Sequence, residues 1–297
     1  MTTLLLRADA GPSIGVGHLS RCVALAEVAV ARGWRVRLAG EVAGAGWLLD
    51  RLSTLDVPVL PPASLVAQVA DLGADVVVVD HYGLGELPEV RAVARLVSIS
   101  DGRFGRRAAD VVVDANLAPA PRPPDGSPAL LAGPSFAPLR ADVLAARAIR
   151  ARRIAGRPPR VVVVMGGGAA ADAVSAAMTA LRDTGLALDV LAISATPVPV
   201  PSGAGQRFTV QPPTPSLPTL LADADLVVSA AGVTLLELCC IGVPAVLVRL
   251  ADNQAAGYRA ALDRDVAAGL GTVADLRSAA GPLRDLLRDP DARAALG

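Results

Sequence analysis

Short runs of Val, Leu and Ile recur along the chain, and most are followed by a longer Ala- and Leu-rich stretch with helical spacing. The runs are Leu4–Leu6, Val36–Leu38, Val76–Val79, Val97–Ile99, Val111–Val113, Val161–Val164, Val190–Ile193, Leu226–Val228 and Ala245–Val248. An apolar run without polar alternation marks a strand covered on both faces, and such strands separated by helices predict parallel sheets of an α/β fold. The segment RARRIAGRPPR (150–160) is basic and rich in proline near its end, and a strand–glycine–helix pattern restarts just after it at VVVVMGGG. The expected domains are therefore 1–150 and 151–297. Two further Pro-rich stretches, APAPRPPDGSP (118–128) and PVPVPSGAGQ (197–206), read as an excursion and a surface loop.

Composition narrows the partner. The 297 residues carry 28 basic and 28 acidic side chains, so no net field recruits nucleic acid or an acidic membrane. Aromatic residues make up 2% of the chain, too few for a base-stacking platform. A small molecule or another protein is the expected partner. Cys22, Cys239 and Cys240 lie in apolar helical stretches without metal-ligand spacing and are expected to be reduced core residues. No basic leader precedes a long apolar segment and no uncharged apolar run is long enough to span a bilayer, so a cytoplasmic protein without membrane insertion is expected.

Ligands of open parallel sheets gather beyond the carboxyl ends of the strands, which directs attention to the residues after each apolar run. The first run leads into RADAGPSIGVGHLSRC, where Gly11, Gly15 and Gly17 permit a tight loop and a helix starts near His18. The spacing is neither that of a Walker A loop nor that of a dinucleotide fingerprint, so a nicotinamide cofactor is not expected. At the mouth of this loop His18 is placed as a general base on water or a hydroxyl, or alternatively as an exposed helix-start imidazole. Asp9 and Arg7 flank the same strand end, either at the ligand or as a local ion pair bracing the loop. In VVVVDHYGLGE, Tyr82 is a candidate for holding a sugar or orienting water, whereas Asp80 reads as a cap of the next turn. Asp101, after SIS, is a weaker candidate.

The second half offers Gly166–Gly168 between a strand and a helix, a place where a pyrophosphate could meet backbone N–H groups. In ADLVVSAAGVTLLELCC a strand is expected to end at Ser229, Gly232 to open a loop, and a helix to carry Thr234 and Glu237 one turn apart. A carboxylate there could accept ribose hydroxyls, or could serve only the helix dipole. The next strand exits into Asp252, Asn253 and Gln254, a polar cluster that could bond a sugar or pyrophosphate without a metal.

Together RADAGPSIGVGHLSRC, DHYGL, NLAP, LAGPSFAPLR, MGGG, SAAGVTLLELCCIGVP and ADNQ, in that order from about residue 4 to residue 260, resemble the PseG family, UDP-2,4-diacetamido-2,4,6-trideoxy-β-L-altropyranose hydrolases of pseudaminic acid biosynthesis. That family is similar in fold to the N-acetylglucosaminyltransferase that makes lipid II. The resemblance implies two Rossmann-like domains facing across a cleft, the GT-B architecture, with a UDP-sugar as the small-molecule partner and neither cofactor nor metal. It implies that His18 activates water for inverting C–O cleavage at the anomeric carbon, with Tyr82 and Asn253 on the sugar side. Asp9, Gly15, Gly17 and Arg21 of the first motif, and Ser229, Asp252 and Gln254 of the later ones, are expected to bind substrate. Gly166, Gly167, Gly232, Val233, Thr234 and Glu237 would line UDP. Val233 stands where the family often has Ser. A glycosyltransferase on the same scaffold, presenting another acceptor to the same base, is the alternative.

Overall fold

The computed structural model describes residues 1–150, 157–166 and 170–297 of the chain. They form two compact units, Met1–Ala141 and Asp142–Gly297. Unit 1 runs β1 (Thr3–Arg7), α1 (Gly17–Ala31), β2 (Arg35–Ala39), α2 (Gly46–Thr54), β3 (Val59–Leu60), α3 (Leu65–Leu72), β4 (Val76–Asp80), α4 (Pro88–Val93), β5 (Arg95–Ile99), β6 (Val111–Asp114) and β7 (Ala129–Ala132), and α5 (Ala141–Arg150) follows. Unit 2 continues with β8 (Arg160–Val164), α6 (Ala171–Arg182), β9 (Leu188–Ile193), β10 (Gln206–Gln211), α7 (Leu217–Ala222), β11 (Leu226–Ala230), α8 (Val233–Ile241), β12 (Ala245–Arg249), α9 (Ala255–Asp263), β13 (Ala268–Thr272), α10 (Ala280–Arg288) and α11 (Pro290–Ala294). The division after Ala141 falls ahead of the expected 150/151. At the end of α5, Arg150 donates to the carbonyls of Ala222, Ala224 and Gly242, all in unit 2. The expected boundary itself adjoins residues 151–156, which lie outside the described residues.

Each unit is built on a parallel sheet, in the order β3-β2-β1-β4-β5-β6-β7 in unit 1 and β10-β9-β8-β11-β12-β13 in unit 2. All five residues of β1 and of β11 are buried, as strands covered on both faces require. One face of the first sheet packs Leu5, Val77, Val79, Leu96 and Val112 against Leu65, Val69 and Val90 of the helices. In the second, Val161, Val163, Val228 and Val246 pack against Ala177, Met178, Leu181 and Leu283.

The chain order fixes where a ligand fits. From β1 the chain moves outward through β2 and β3, then returns to place β4 on the other side of β1; β8 and β11 repeat the manoeuvre in unit 2. Two neighbouring strands whose connections leave in opposite directions open a crevice at their carboxyl ends. The crevices lie at β1/β4 and at β8/β11.

Every apolar run of the sequence pattern lies within a strand, while β3, β7, β10 and β13 have no counterpart among the runs. These four are the edge strands of the two sheets. Their residues are mostly half-buried or exposed, with only Leu270 of β13 buried, so no continuous apolar run marks them. The cysteines need one correction: all three are free and Cys22 is buried, but Cys239 is exposed on α8. Among the described residues no helix is long and apolar enough to cross a membrane.

Candidate functional site

At the β1 exit, Gly11 and Gly15 exchange backbone hydrogen bonds of 3.2 and 2.7 Å, closing a small loop before α1. Gly15 sits at φ +80°, a left-handed conformation that a side chain would strain. Gly17 opens α1 without a side-chain cap, which makes His18 and Arg21 neighbours on one face of its first turns.

That face meets the ends of β4 and β5. Asp80, the last residue of β4, is completely buried; its Oδ1 lies 2.6 Å from His18 Nδ1, and Arg21 grips it through Nε at 2.7 Å and Nη2 at 2.8 Å. Arg21 also donates to Asp101 through Nη1 at 2.8 Å and Nη2 at 3.1 Å. Tyr82 donates its hydroxyl to the same Asp101 and sets its ring edge-on to the His18 imidazole, centroids 4.4 Å apart. Burial opposes the Arg21 charge, yet Asp80 and Asp101 outweigh it and raise its pKa above the ordinary value. Burial likewise works against the Asp101 carboxylate and Arg21 overcomes it, holding Asp101 below the usual range.

A carboxylate beside a ring nitrogen fixes the tautomer: His18 donates Nδ1–H to Asp80 and keeps its lone pair at Nε2. Nε2 makes no hydrogen bond to any described residue. This arrangement leaves Nε2 free to accept a proton, with the ring oriented and a charge on it supported from behind.

The second histidine is held the opposite way. His81 Nδ1 accepts the amide N–H groups of Gly83 and Leu84 at 2.9 and 3.0 Å, so the proton resides on Nε2, which faces Asp9 at 2.8 Å. Burial pushes the His81 pKa down. Asp9 also receives Arg7 and the Glu41 amide at 2.8 Å; burial acts to raise its pKa, but Arg7 and then Glu41 prevail and hold it at about 2. Arg7 and Asp9 thus form the loop-bracing ion pair.

At the other crevice, α8 begins at Gly232 with no side chain capping its first amides. Val233 and Thr234 are half-buried in its first turn and Glu237 is 6% exposed one turn on. Gln254 accepts the Leu250 amide at 2.9 Å and brings its Nε2 within 3.9 Å of the position a Gly232 Cβ would take, which joins the β11 and β12 exits. Asp252 and Asn253 are exposed in the short helical turn before α9. Gly166 follows β8 at φ +82°, and no described residue comes within 4 Å of the position its Cβ would take. Gly167 lies outside the described residues. Among the described residues no group of three or more His, Cys, Asp and Glu side chains is arranged to hold a metal ion.

The structure brings His18, Tyr82, Arg21 and Asp101 together, and it collects Gly232, Val233, Thr234 and Gln254 separately in unit 2. Two expected ligand residues turn inward. Arg21 is 4% exposed with Nε, Nη1 and Nη2 all donated to carboxylates, and Ser229 is fully buried in β11 with its hydroxyl on the Ala230 carbonyl. Asp80, read from sequence as a turn cap, is instead the carboxylate behind His18. The signal was present in VVVVD: an acid ending a run of buried valines must have partners there.

None of the known protein-family models matches the sequence. Nor does any curated protein match it. Solved structures do match over nearly the whole chain. MurG of Acinetobacter baumannii shares 17% identity at a TM-score of 0.64, covering 99% of this chain and 95% of its own. The spinosyn rhamnosyltransferase SpnG shares 14% at 0.63, covering 100% and 94%. The glycosyltransferase SsfS6 of Streptomyces sp. SF2575, solved with thymidine diphosphate, shares 12% at 0.56, covering 99% and 96%. The chain has the GT-B glycosyltransferase fold, built of two parallel-sheet α/β units.

Proposed function

We propose that the protein is a nucleotide-sugar hydrolase in which unit 1 supplies the base and unit 2 holds the nucleoside diphosphate. The observation that carries this reading is the His18–Asp80 pair, which leaves Nε2 as the proton acceptor. In this reading Nε2 takes a proton from water as its oxygen attacks the anomeric carbon, and the C–O bond to the diphosphate breaks on the opposite face with inversion. Asp80 stabilises the imidazolium so formed. Tyr82 borders the sugar, with Asp9, Gly15 and Gly17 shaping the loop beside it and Arg21 positioning Asp80. The uncapped amides of Val233 and Thr234 take the diphosphate as it leaves, together with Gly166 and Gly167. Glu237 accepts the ribose hydroxyls, and Asp252 and Gln254 line the same edge. UDP-2,4-diacetamido-2,4,6-trideoxy-β-L-altrose is the proposed substrate, on the motif resemblance. Transfer to an acceptor other than water is the second reading, favoured by the glycosyltransferases among the structural neighbours.

The test is UDP release from that sugar nucleotide, followed by phosphorus NMR, in wild type and His18→Ala. The variant is expected to be slower by about 10²–10⁴-fold, the usual share of general base catalysis. UDP at a hundred times its Kd is expected to stabilise both proteins by about 2.7 kcal/mol. Full turnover in His18→Ala removes the proposed base. Stabilisation by UDP without any release by the wild type transfers the assignment to the glycosyltransferase reading.

A further inference from the structure

Arg107, on the segment between β5 and β6, is 1% exposed. Its guanidinium spends itself on uncharged oxygens: Nη1 donates to the Val79 carbonyl at 3.3 Å and the Ser98 hydroxyl at 3.0 Å, and Nη2 to the carbonyls of His81 and of Leu84, the latter at 2.9 Å. Among the described residues no carboxylate lies within ion-pair distance of it. Burial lowers its pKa to about 10, so it remains a cation at neutral pH. Sealing a cation without a carboxylate is costly, and buried carbonyls demand donors.

Those carbonyls explain the arrangement. His81 and Leu84 bracket the turn after β4 that carries Tyr82, and Val79 stands beside Asp80 in the last residues of that strand. The planar fork reaches β4, β5 and both ends of that turn at once, which a single ammonium could not do. The Arg107 backbone is itself held, its carbonyl accepting Arg122 Nη2 at 2.6 Å. Gly105, two residues earlier, fits under the same turn: at φ +70° an added Cβ would meet Tyr82 Cδ1 at 3.3 Å and the His81 carbonyl at 3.4 Å.

We propose that Arg107 is a positioning residue: it clamps the 81–84 turn through its carbonyls and so holds Tyr82 against His18. The proposal rests on the reading of unit 1 as the catalytic half, but its test has a readout that does not. The chain has two histidines, and they are held in opposite tautomers, so imidazole nitrogen NMR of the free protein shows one Nδ1–H ring and one Nε2–H ring. In Arg107→Met the turn is released, the Gly83 and Leu84 amides leave His81, and its ring is expected to average between tautomers. Turnover is expected to fall about 10²-fold, the scale of an ångström-sized misplacement, with KM within about twofold of wild type. A folded variant whose two imidazoles and kcat both match wild type overturns the proposal. If Arg107→Met does not fold, Arg107→Lys is measured in the same way, with the same reading of a moved or unmoved His81. If the wild type releases no UDP the proposed activity fails, and the His81 spectrum still decides the clamp.

Discussion

His18 and Tyr82 stand out in the sequence because rare polar side chains there follow apolar strands. What joins them does not. The separation of 62 positions from His18 to Asp80 hides the fact that β1 and β4 are neighbours, and only adjacency turns a strand-ending aspartate into the partner of a helix-borne histidine. The environment of Arg21 is hidden for the same reason, since spacing alone does not show that two carboxylates claim its nitrogens. Asp80→Asn tests the network at this scale. Without the carboxylate the ring loses its tautomer preference and its charge support, and the rate is expected to drop about 10³–10⁴-fold. Arg21 then keeps Asp101 as its one charged partner, and stability is expected to fall by about 3 kcal/mol. Single-turnover kinetics and urea unfolding measure the two effects; a variant with wild-type rate would show that Asp80 is structural alone.

Among the elements, the buried strands were legible because covering both faces forces a run of Val and Leu, as in VVVVD and RVVVV. The edges were not. In β10 the sequence QRFTVQ alternates half-buried and exposed positions over most of its length, and Arg207 faces outward, paired with Asp189 at 2.9 Å. β3 is only two residues long. Edge ladders with one neighbour open before ladders with two, so hydrogen exchange is expected to reach β3, β7, β10 and β13 well before β1, β4, β8 and β11. Equal protection of β3 and β1 would contradict the edge position of β3. The helix starts that border the crevices were read correctly in outline: α1 begins at Gly17, and α8 begins at Val233 immediately after Gly232.

For the molecule as a whole, equal numbers of acidic and basic side chains conceal an uneven sensitivity to pH. Carboxylates in both units are held below their ordinary range: Asp9 at about 2, together with Asp101, Asp110 and Asp125 in unit 1 and Asp223 in unit 2. A folded pKa below the unfolded one adds stability that is complete above the unfolded value and disappears as pH falls through the folded value. Unfolding midpoints are therefore expected to slip modestly as pH falls below about 6.5, where the unfolded chain protonates His81 more readily than the folded one, and to decline steeply from about pH 4, near the ordinary aspartate pKa, towards pH 2. Asp9→Asn should lessen that decline, and a titration of Tm that is indistinguishable from wild type would remove Asp9 from the account. The Asp80–Arg21–Asp101 chain has an evolutionary consequence as well. Its three members are coupled through one guanidinium, so loss of Arg21 leaves two aspartates facing each other and loss of either aspartate leaves the guanidinium under-compensated. A lineage that changed one of the three would carry a stability deficit until the others changed as well, so the fold itself favours keeping the trio intact.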